Sequence, residues 1–316
     1  MCTSMTYKTT DNINFLARTM DFSIDLEAAP IFIPRAYHFN TIFNKEGYET
    51  KYGFLGAGRK LNEYIFTDGF NEKGFGIEVL YFHPKAKYSE TPADGKINLD
   101  SSELVTWSLS NIASVQEFKE KLGEINLVNN KNILLQKVVP LHWIISDATG
   151  ETVVLEVTET GYHLYENKVG VMTNSPEFTW HLDNLAHYNH IQPTEAKEKK
   201  YGDYVAAFDG PGFGALGLPG DYTSASRFIR VAFLREYIEP VSGELSGVKN
   251  ISKILNSVDI PKGVKINAEG NSDYTQYIGI MDLNHLKYYF TAYNELSPKV
   301  CKMTETMLNE DKIISF

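Results

Sequence analysis

Cys2, directly after Met1 in this 316-residue chain, is the residue best equipped for chemistry. Once Met1 is removed, one residue carries both a thiol and a free α-amine. The reference pKa of an α-amine is about 7.7–8.0, so near neutral pH a fraction is unprotonated and can accept the thiol's proton. An N-terminal amine is a recognised way to activate a nucleophile without histidine. Cys is a small residue, which suits removal of Met1, and the mature chain is expected to begin at Cys2. Further on, Ala17-Arg18-Thr19-Met20-Asp21 offers a cation and a carboxylate.

These residues must be brought together by their elements. Residues 2–9 alternate loosely, Thr10-Asp11-Asn12 supplies turn chemistry, and 13–17 is apolar. That pattern predicts a β-hairpin, with Cys2 at the start of one strand and Arg18 and Asp21 at the end of its partner. On these residues alone an ordinary surface salt bridge reads equally well. Further strands are expected at 51–56, 64–67 and 74–82, punctuated by Gly58, Asp68-Gly69 and Glu72-Lys73-Gly74. Apolar spacing predicts a helix over 102–112, and Ser114 with Glu117 opens another as a capping box. Strands are expected over 141–146, 152–158, 162–166 and 170–173, helices over 178–190, 224–238 and 251–258, and a hairpin of 274–282 with 286–293. Hairpin-joined strands between blocks of helix argue for an α+β fold with antiparallel sheets and layered helices. No repeat or long linker divides the chain, so a single domain over 1–316 is expected.

Composition excludes several classes. The net charge is −10 and no basic run exceeds 197–200, so neither nucleic acid nor an anionic membrane is an expected partner. Two cysteines, Cys2 and Cys301, make no disulfide framework and suit a reducing cytoplasm. Neither a transmembrane run nor a signal-peptide pattern is read. Residues 212–217 spell GxGxxG, but Pro211 and Pro219 frame them, so the stretch reads as a loop and not a dinucleotide fingerprint. His181, His187 and His190 share a helical stretch without the matching carboxylate or Cys of a zinc site. They read as core or surface histidines, and no metal is expected.

Three segments at strand or helix edges remain. Tyr81 ends an apolar run that leads into Phe82-His83-Pro84. Asn174 closes a strand before Ser175-Pro176, a place where Asn is either a turn former or an aimed side chain. Leu218-Pro-Gly-Asp221 delivers a helix with Arg227 in its first turn, where a cation opposes the macrodipole unless an anion lies near. Together, Cys2-Thr3, Ala17-Arg18-Thr-Met-Asp21, Met172-Thr-Asn174-Ser-Pro, Trp180-His-Leu-Asp-Asn-Leu and Leu218-Pro-Gly-Asp221 through Ser226-Arg227-Phe resemble the choloylglycine hydrolase family. Its members are bile salt hydrolases and penicillin V acylases with an N-terminal nucleophile. The likeness runs from residue 2 to about 295.

The resemblance implies a four-layer αββα sandwich, a homotetramer, no cofactor and a small-molecule amide as substrate. It implies Cys2 as nucleophile with its own amine as base, Asp21 holding that amine, and Arg18 favouring the thiolate. Asn174 and the Tyr81 backbone N–H would face the oxyanion, and Arg227 would steady the charges. Cys301 matches no role. Bile salt hydrolases usually carry Asn at the position of Tyr81 and penicillin V acylases Tyr, so the main expectation is cleavage of penicillin V to 6-aminopenicillanic acid. Conjugated bile salts and N-acyl homoserine lactones are the alternatives. Met20, Tyr64, Phe66 and Leu141 are the expected acyl-pocket lining. A non-enzymatic ligand-binding homologue is the reading from another class; it would be expected to break the set Cys2, Arg18, Asp21, Asn174 and Arg227, which is intact.

Overall fold

A computed structural model describes residues 2–132, 135–195 and 197–316; Met1, and with it the expected removal, lies outside the described residues. Two sheets dominate. The strands that build them are β1 (Thr3–Lys8), β2 (Asn14–Phe22), β3 (Ala29–Ile33), β4 (Phe54–Lys60), β5 (Tyr64–Asn71), β6 (Gly76–Tyr81), β7 (Leu141–Ser146), β8 (Thr152–Thr158), β9 (Gly161–Glu166), β10 (Val171–Met172), β11 (Tyr274–Asp282), β12 (Lys287–Ala292), β13 (Lys299–Lys302) and β14 (Ile314–Ser315). The first sheet has the order β10-β1-β2-β11-β12-β13 and the second β9-β8-β7-β6-β5-β4-β3-β14. Every pairing within both is antiparallel.

Alternation along the strands builds the layers, because successive side chains point to opposite faces. On β7, Trp143 and Ile145 join a core with helices α1 (Leu104–Asn111) and α2 (Val115–Lys121). Ile144, between them, joins Leu16, Phe70, Leu80 and Tyr288 in the layer between the sheets. On the far side of the first sheet, α4 (Ser224–Tyr237) and α5 (Glu244–Asn256) pack on β1, while α3 (Phe178–Leu185) packs on α4. The result is the expected α+β sandwich of two antiparallel sheets between helices.

Several boundaries differ from the sequence reading. The strand whose apolar run was read over 13–17, with Arg18 and Asp21 at its end, spans Asn14–Phe22, and Arg18, Thr19, Met20 and Asp21 are all buried within it. A polar run is not read as a buried strand from pattern alone; here hydrogen-bond partners on neighbouring strands make it one. The helix expected over 251–258 begins at Glu244, because Gly247 breaks the apparent pattern. That glycine is needed for close packing: a Cβ there would sit 2.9 Å from both Phe15 and Thr9 side chains. The stretch 178–190 is α-helical only to Leu185 and then tightens into a 3₁₀ turn. Among the described residues no helix is long and apolar enough to cross a membrane.

Gly56 of β4 lies opposite Gly69 of β5, and a Cβ on Gly56 would sit 2.2 Å from the Asp68 carbonyl oxygen. The obstacle is backbone, which cannot swing aside. Gly56→Ala is therefore expected to destabilise the fold by about 1–3 kcal/mol. Chemical denaturation checks this, and an unchanged midpoint contradicts it.

Candidate active site

The site is assembled at the ends of β1 and β2. Their register sets Thr3 opposite Thr19 and Ser4 opposite Arg18. On the other side of β2, Asp21 lies opposite Thr275 and Arg18 opposite Gly279 of β11. Asp21 is fully buried. Its Oδ1 accepts from the Thr275 hydroxyl at 2.6 Å and its Oδ2 from the Thr19 hydroxyl at 3.1 Å. Burial pushes the Asp21 carboxyl above its ordinary pKa, while Arg227 and the two hydroxyls pull it back.

Arg227 arrives from the first turn of α4, which Thr223 caps through the Ser226 N–H. Its Nη1 donates to the Cys2 carbonyl at 2.6 Å and to Thr3 Oγ1 at 2.5 Å, and its Nη2 donates to Asn174 Oδ1 at 2.8 Å. Nη1 is also 3.8 Å from Asp21 Oδ2. The anion that a first-turn cation requires is thus present. Burial lowers the Arg227 pKa from its usual value, with Asp21 the main opposing influence.

Asn174 follows the short strand β10 and joins the parts. Its Oδ1 accepts from the Cys2 nitrogen at 2.8 Å as well as from Arg227. Its Nδ2 donates to the Tyr81 carbonyl at 2.8 Å. Its own carbonyl accepts from Ser224 Oγ at 2.7 Å and from His181 Nε2 at 2.9 Å. His181 is buried, and burial lowers its pKa to about 4, so it is a neutral donor at neutral pH. Sequence reading gave His181 no part beyond core or surface. Its position seven residues after Asn174, on the helix that follows the proline, is the signal that was there.

The Cys2 sulfur lies 3.7 Å from Met20 Sδ and 3.8 Å from the Asp21 carbonyl. Arg18 Nη2 donates to the same Met20 sulfur at 3.6 Å. Arg18 Nη1 donates to the Thr67 and Val79 carbonyls, each at 2.9 Å. Burial alone would lower the Arg18 pKa, but Cys2, Tyr277, Asp68 and Glu78 together raise it, so the guanidinium is firmly cationic.

Cys2 lies in the wall of an apolar pocket with Met20, Phe66 and Leu141, three of the four residues read as pocket lining, and with Tyr81, Phe22 and Leu26. Tyr64 is not among its lining. Strand rise places Tyr64 about 7 Å further out along β5 than Phe66, where it lines a second, more polar cleft. The two cavities share Leu61, Ile65, Ser102 and Asn132 in their walls and so lie side by side. The Tyr81 ring meets Phe22 edge-on with centroids 6.3 Å apart and stacks on His83. Phe22 and Leu26 were missed because nothing in an isolated apolar residue says which cavity it faces.

The remaining candidates fall as expected. Residues 212–217 form a loop with one 3₁₀ turn, and His187 and His190 are exposed. Glu244, Asp282 and His285 bring one ligand atom each within 4.8 Å, but Lys287 already holds Glu244 at 2.6 Å. The arrangement at Cys2 combines a thiol, the nitrogen of the same residue, two buried cations and an amide side chain at the rim of an apolar pocket. That set is suited to acyl transfer through a covalent intermediate.

Comparison with known proteins agrees. The chain is 37% identical to the bile salt hydrolase/transferase of Clostridium perfringens over 100% of this chain and 96% of that protein. It is 25% identical to the penicillin V acylase of Pectobacterium atrosepticum over 95% of this chain and 79% of that protein. The crystal structure of the mutant C2A conjugated bile acid hydrolase from Clostridium perfringens superposes with a TM-score of 0.92 at 35% identity, covering 100% of this chain and 96% of that one. Residues 2–316 match the family described as linear amide C–N hydrolases, choloylglycine hydrolase family. The chain therefore belongs to the choloylglycine hydrolase family and is a hydrolase of linear amide C–N bonds.

Proposed function

We propose that the mature chain begins at Cys2 and cleaves the amide bond of conjugated bile salts, releasing the steroid acid and the amino acid. The observation that carries this reading is a pair of adjoining cavities that share Leu61 and Ile65: an apolar one beside the sulfur and a more polar one lined by Asn40, Glu63 and Gln136. A long acyl group with an apolar body and scattered hydroxyls suits such a cleft. The relatives support the same order, since 37% identity to a bile salt hydrolase/transferase stands against 25% to a penicillin V acylase. Tyr81 had placed penicillin V first. Its ring, edge-on to Phe22, still supports a second reading in which a planar phenoxy group packs there.

In this mechanism the α-amine of Cys2 takes the thiol proton and the thiolate attacks the amide carbonyl carbon. Asn174 Nδ2 has one hydrogen on the Tyr81 carbonyl and a second to give the oxyanion, joined by the Tyr81 N–H. Collapse of the tetrahedral intermediate breaks the C–N bond as the ammonium protonates the departing nitrogen. A thioester remains, and water, deprotonated by the same amine, hydrolyses it. Arg18 holds charge near the sulfur, and Arg227 with Asp21 fixes the main chain of Cys2 in place. On this reading the enzyme works in a reducing cytoplasm, which its two cysteines suit, and as a homotetramer, as the family likeness implies.

Mass analysis of active enzyme should give a chain starting at Cys2, and full activity with Met1 attached would contradict the mechanism. Cys2→Ser should lose most turnover because a hydroxyl is a far weaker acid than a thiol, whereas Cys301→Ala, buried on β13, should keep it.

Asn174→Ala should cost on the order of 100- to 1000-fold in kcat. Arg227→Leu leaves the Asp21 carboxylate buried without its charge partner and should lower stability by about 3–5 kcal/mol in denaturant titrations.

Measured side by side, kcat/KM for glycocholate or taurocholate should exceed that for penicillin V. A ratio in favour of penicillin V would turn the reading over to the acylase.

A further inference from the structure

Behind Arg18, on the side away from Cys2, two carboxyl groups lie in the layer between the sheets. Asp68 on β5 and Glu78 on β6 are direct cross-strand partners, and both are fully buried. Asp68 is well supplied with donors. Tyr288 and Tyr277 hydroxyls donate to its Oδ1 and Oδ2, each at 2.5 Å, and Arg18 Nη1 is 3.6 Å from Oδ2. Glu78 has far less support: neither of its oxygens has a partner at ordinary hydrogen-bond distance, and its one nearby donor is the Ser4 hydroxyl. The charged and titratable groups around Glu78 are Arg18 on β2, Asp68 on β5 and, beyond Asp68, Tyr277 on β11 and Tyr288 on β12. On β7 its partner is the apolar Ile144, and His142, further along the strand, is paired with Glu156 at 3.2 Å.

One cation therefore stands among three groups that can be anionic: Asp68, Glu78 and the Cys2 thiol. A buried carboxylate with so few donors is costly, so Glu78 keeps its proton, while Asp68 has Arg18 and two tyrosine hydroxyls to match it. We propose that Glu78 is a positioning residue for the reaction: protonated, it leaves the charge of Arg18 free to favour the Cys2 thiolate, and once ionised it competes for that charge and slows turnover. Burial, in the first place, pushes the Glu78 pKa from its usual 4.5 to about 8, with Arg18 pulling down and Asp68 pushing further up. The change thus falls within the range where enzyme activity is ordinarily measured.

The sign for stability follows. The folded state binds the Glu78 proton more tightly than the unfolded chain, so this group makes folding less favourable as pH rises from about 4.5 to about 8. In wild-type protein its contribution declines through that window, and Glu78→Gln removes the decline.

The role rests on Cys2 as nucleophile but not on the identity of the amide, so the test uses whichever of glycocholate or penicillin V is cleaved faster. The readout is kcat/KM at pH 9 divided by kcat/KM at pH 7. Glu78→Gln is expected to raise this ratio at least threefold over wild type. Asp68→Asn is expected to move the alkaline fall to lower pH, because it removes the anion that helps Glu78 hold its proton. A Glu78→Gln ratio equal to that of wild type overturns the proposal. Should the variants not fold, infrared spectra of wild-type protein give the second measurement. A protonated-carboxyl band that disappears between pH 7 and 9 supports the role, and its absence at pH 7 overturns it. Turnover retained by Cys2→Ser would instead sink the nucleophile assignment, so the two failures are distinct.

Discussion

The structure around Cys2 depends on burying charge only where it is matched. Arg227 illustrates the constraint. Its guanidinium ties together the carbonyl of Cys2, the hydroxyl of Thr3, the side chain of Asn174 and, at longer range, Asp21. These groups come from the chain start, from β2, from the end of β10 and from α4. No hydrophobic contact could hold four such elements to tenths of an ångström, because burial is non-directional, whereas a planar fork of donors fixes both distance and angle. The same residue solves the solvation problem of Asp21, which sits between Thr19, Thr275 and the cation with no solvent exposure.

Hydrophobic packing does a different job, setting the frame in which those charges meet. Alternation on β7 and β8 sends Trp143, Ile145, Val153 and Leu155 toward the helices and Ile144 and Val154 toward the other sheet. With both faces of this sheet covered, the polar residues on its inner side, Asp68 and Glu78, have nowhere to be solvated. They must pair, or stay neutral. The strand ends, by contrast, open into the pocket, where Tyr81 and Leu141 finish β6 and β7 side by side. Closed at the middle and open at the end, the sandwich places the Cys2 sulfur in the wall of an apolar cleft.

How much of this could be read from the chain depended on the kind of signal. The hairpin that brings Arg18 and Asp21 to Cys2 was legible, since Thr10-Asp11-Asn12 punctuates two alternating runs and register then follows. The antiparallel layers were legible from hairpin spacing, and Asn174 and Arg227 from being out of place locally, one at a strand end, the other against a helix dipole. What stayed hidden was whatever needs two distant elements to meet. Thr275 gives no sign that it will hold Asp21 from 254 positions away, and Asp68-Gly69 reads as a turn although both residues lie inside β5. Tyr64 was drawn into the pocket by its nearness in sequence to Phe66, yet strand rise carried it to the outer cleft. The first turns of α5, missed because the helix was read only from residue 251, have the same origin: Gly247 within them is there for Phe15 and Thr9, not for its own helix.

The two buried arginines of the site differ in a way that assigns them different work. Arg227 has one full counter-charge, Asp21, and burial dominates, so its affinity for protons falls below the usual value. Arg18 is surrounded by Cys2, Tyr277, Asp68 and Glu78, and these outweigh burial. A cation with a single strong partner and four directed hydrogen bonds, the fourth from its Nε to the Tyr222 carbonyl at 3.1 Å, is an organiser of geometry. A cation set among several potential anions responds to how many of them are charged, and what it gives the sulfur depends on what the carboxyls behind it take. Because its Nη1 is fixed on the Thr67 and Val79 carbonyls, Arg18 cannot move to follow the charge. Only protonation can change the balance. On the role proposed for Glu78, a site whose thiol has Met20 and the Asp21 carbonyl as its hydrogen-bond partners takes its electrostatic adjustment from buried carboxyls and tyrosines that stand outside the lining of the apolar pocket.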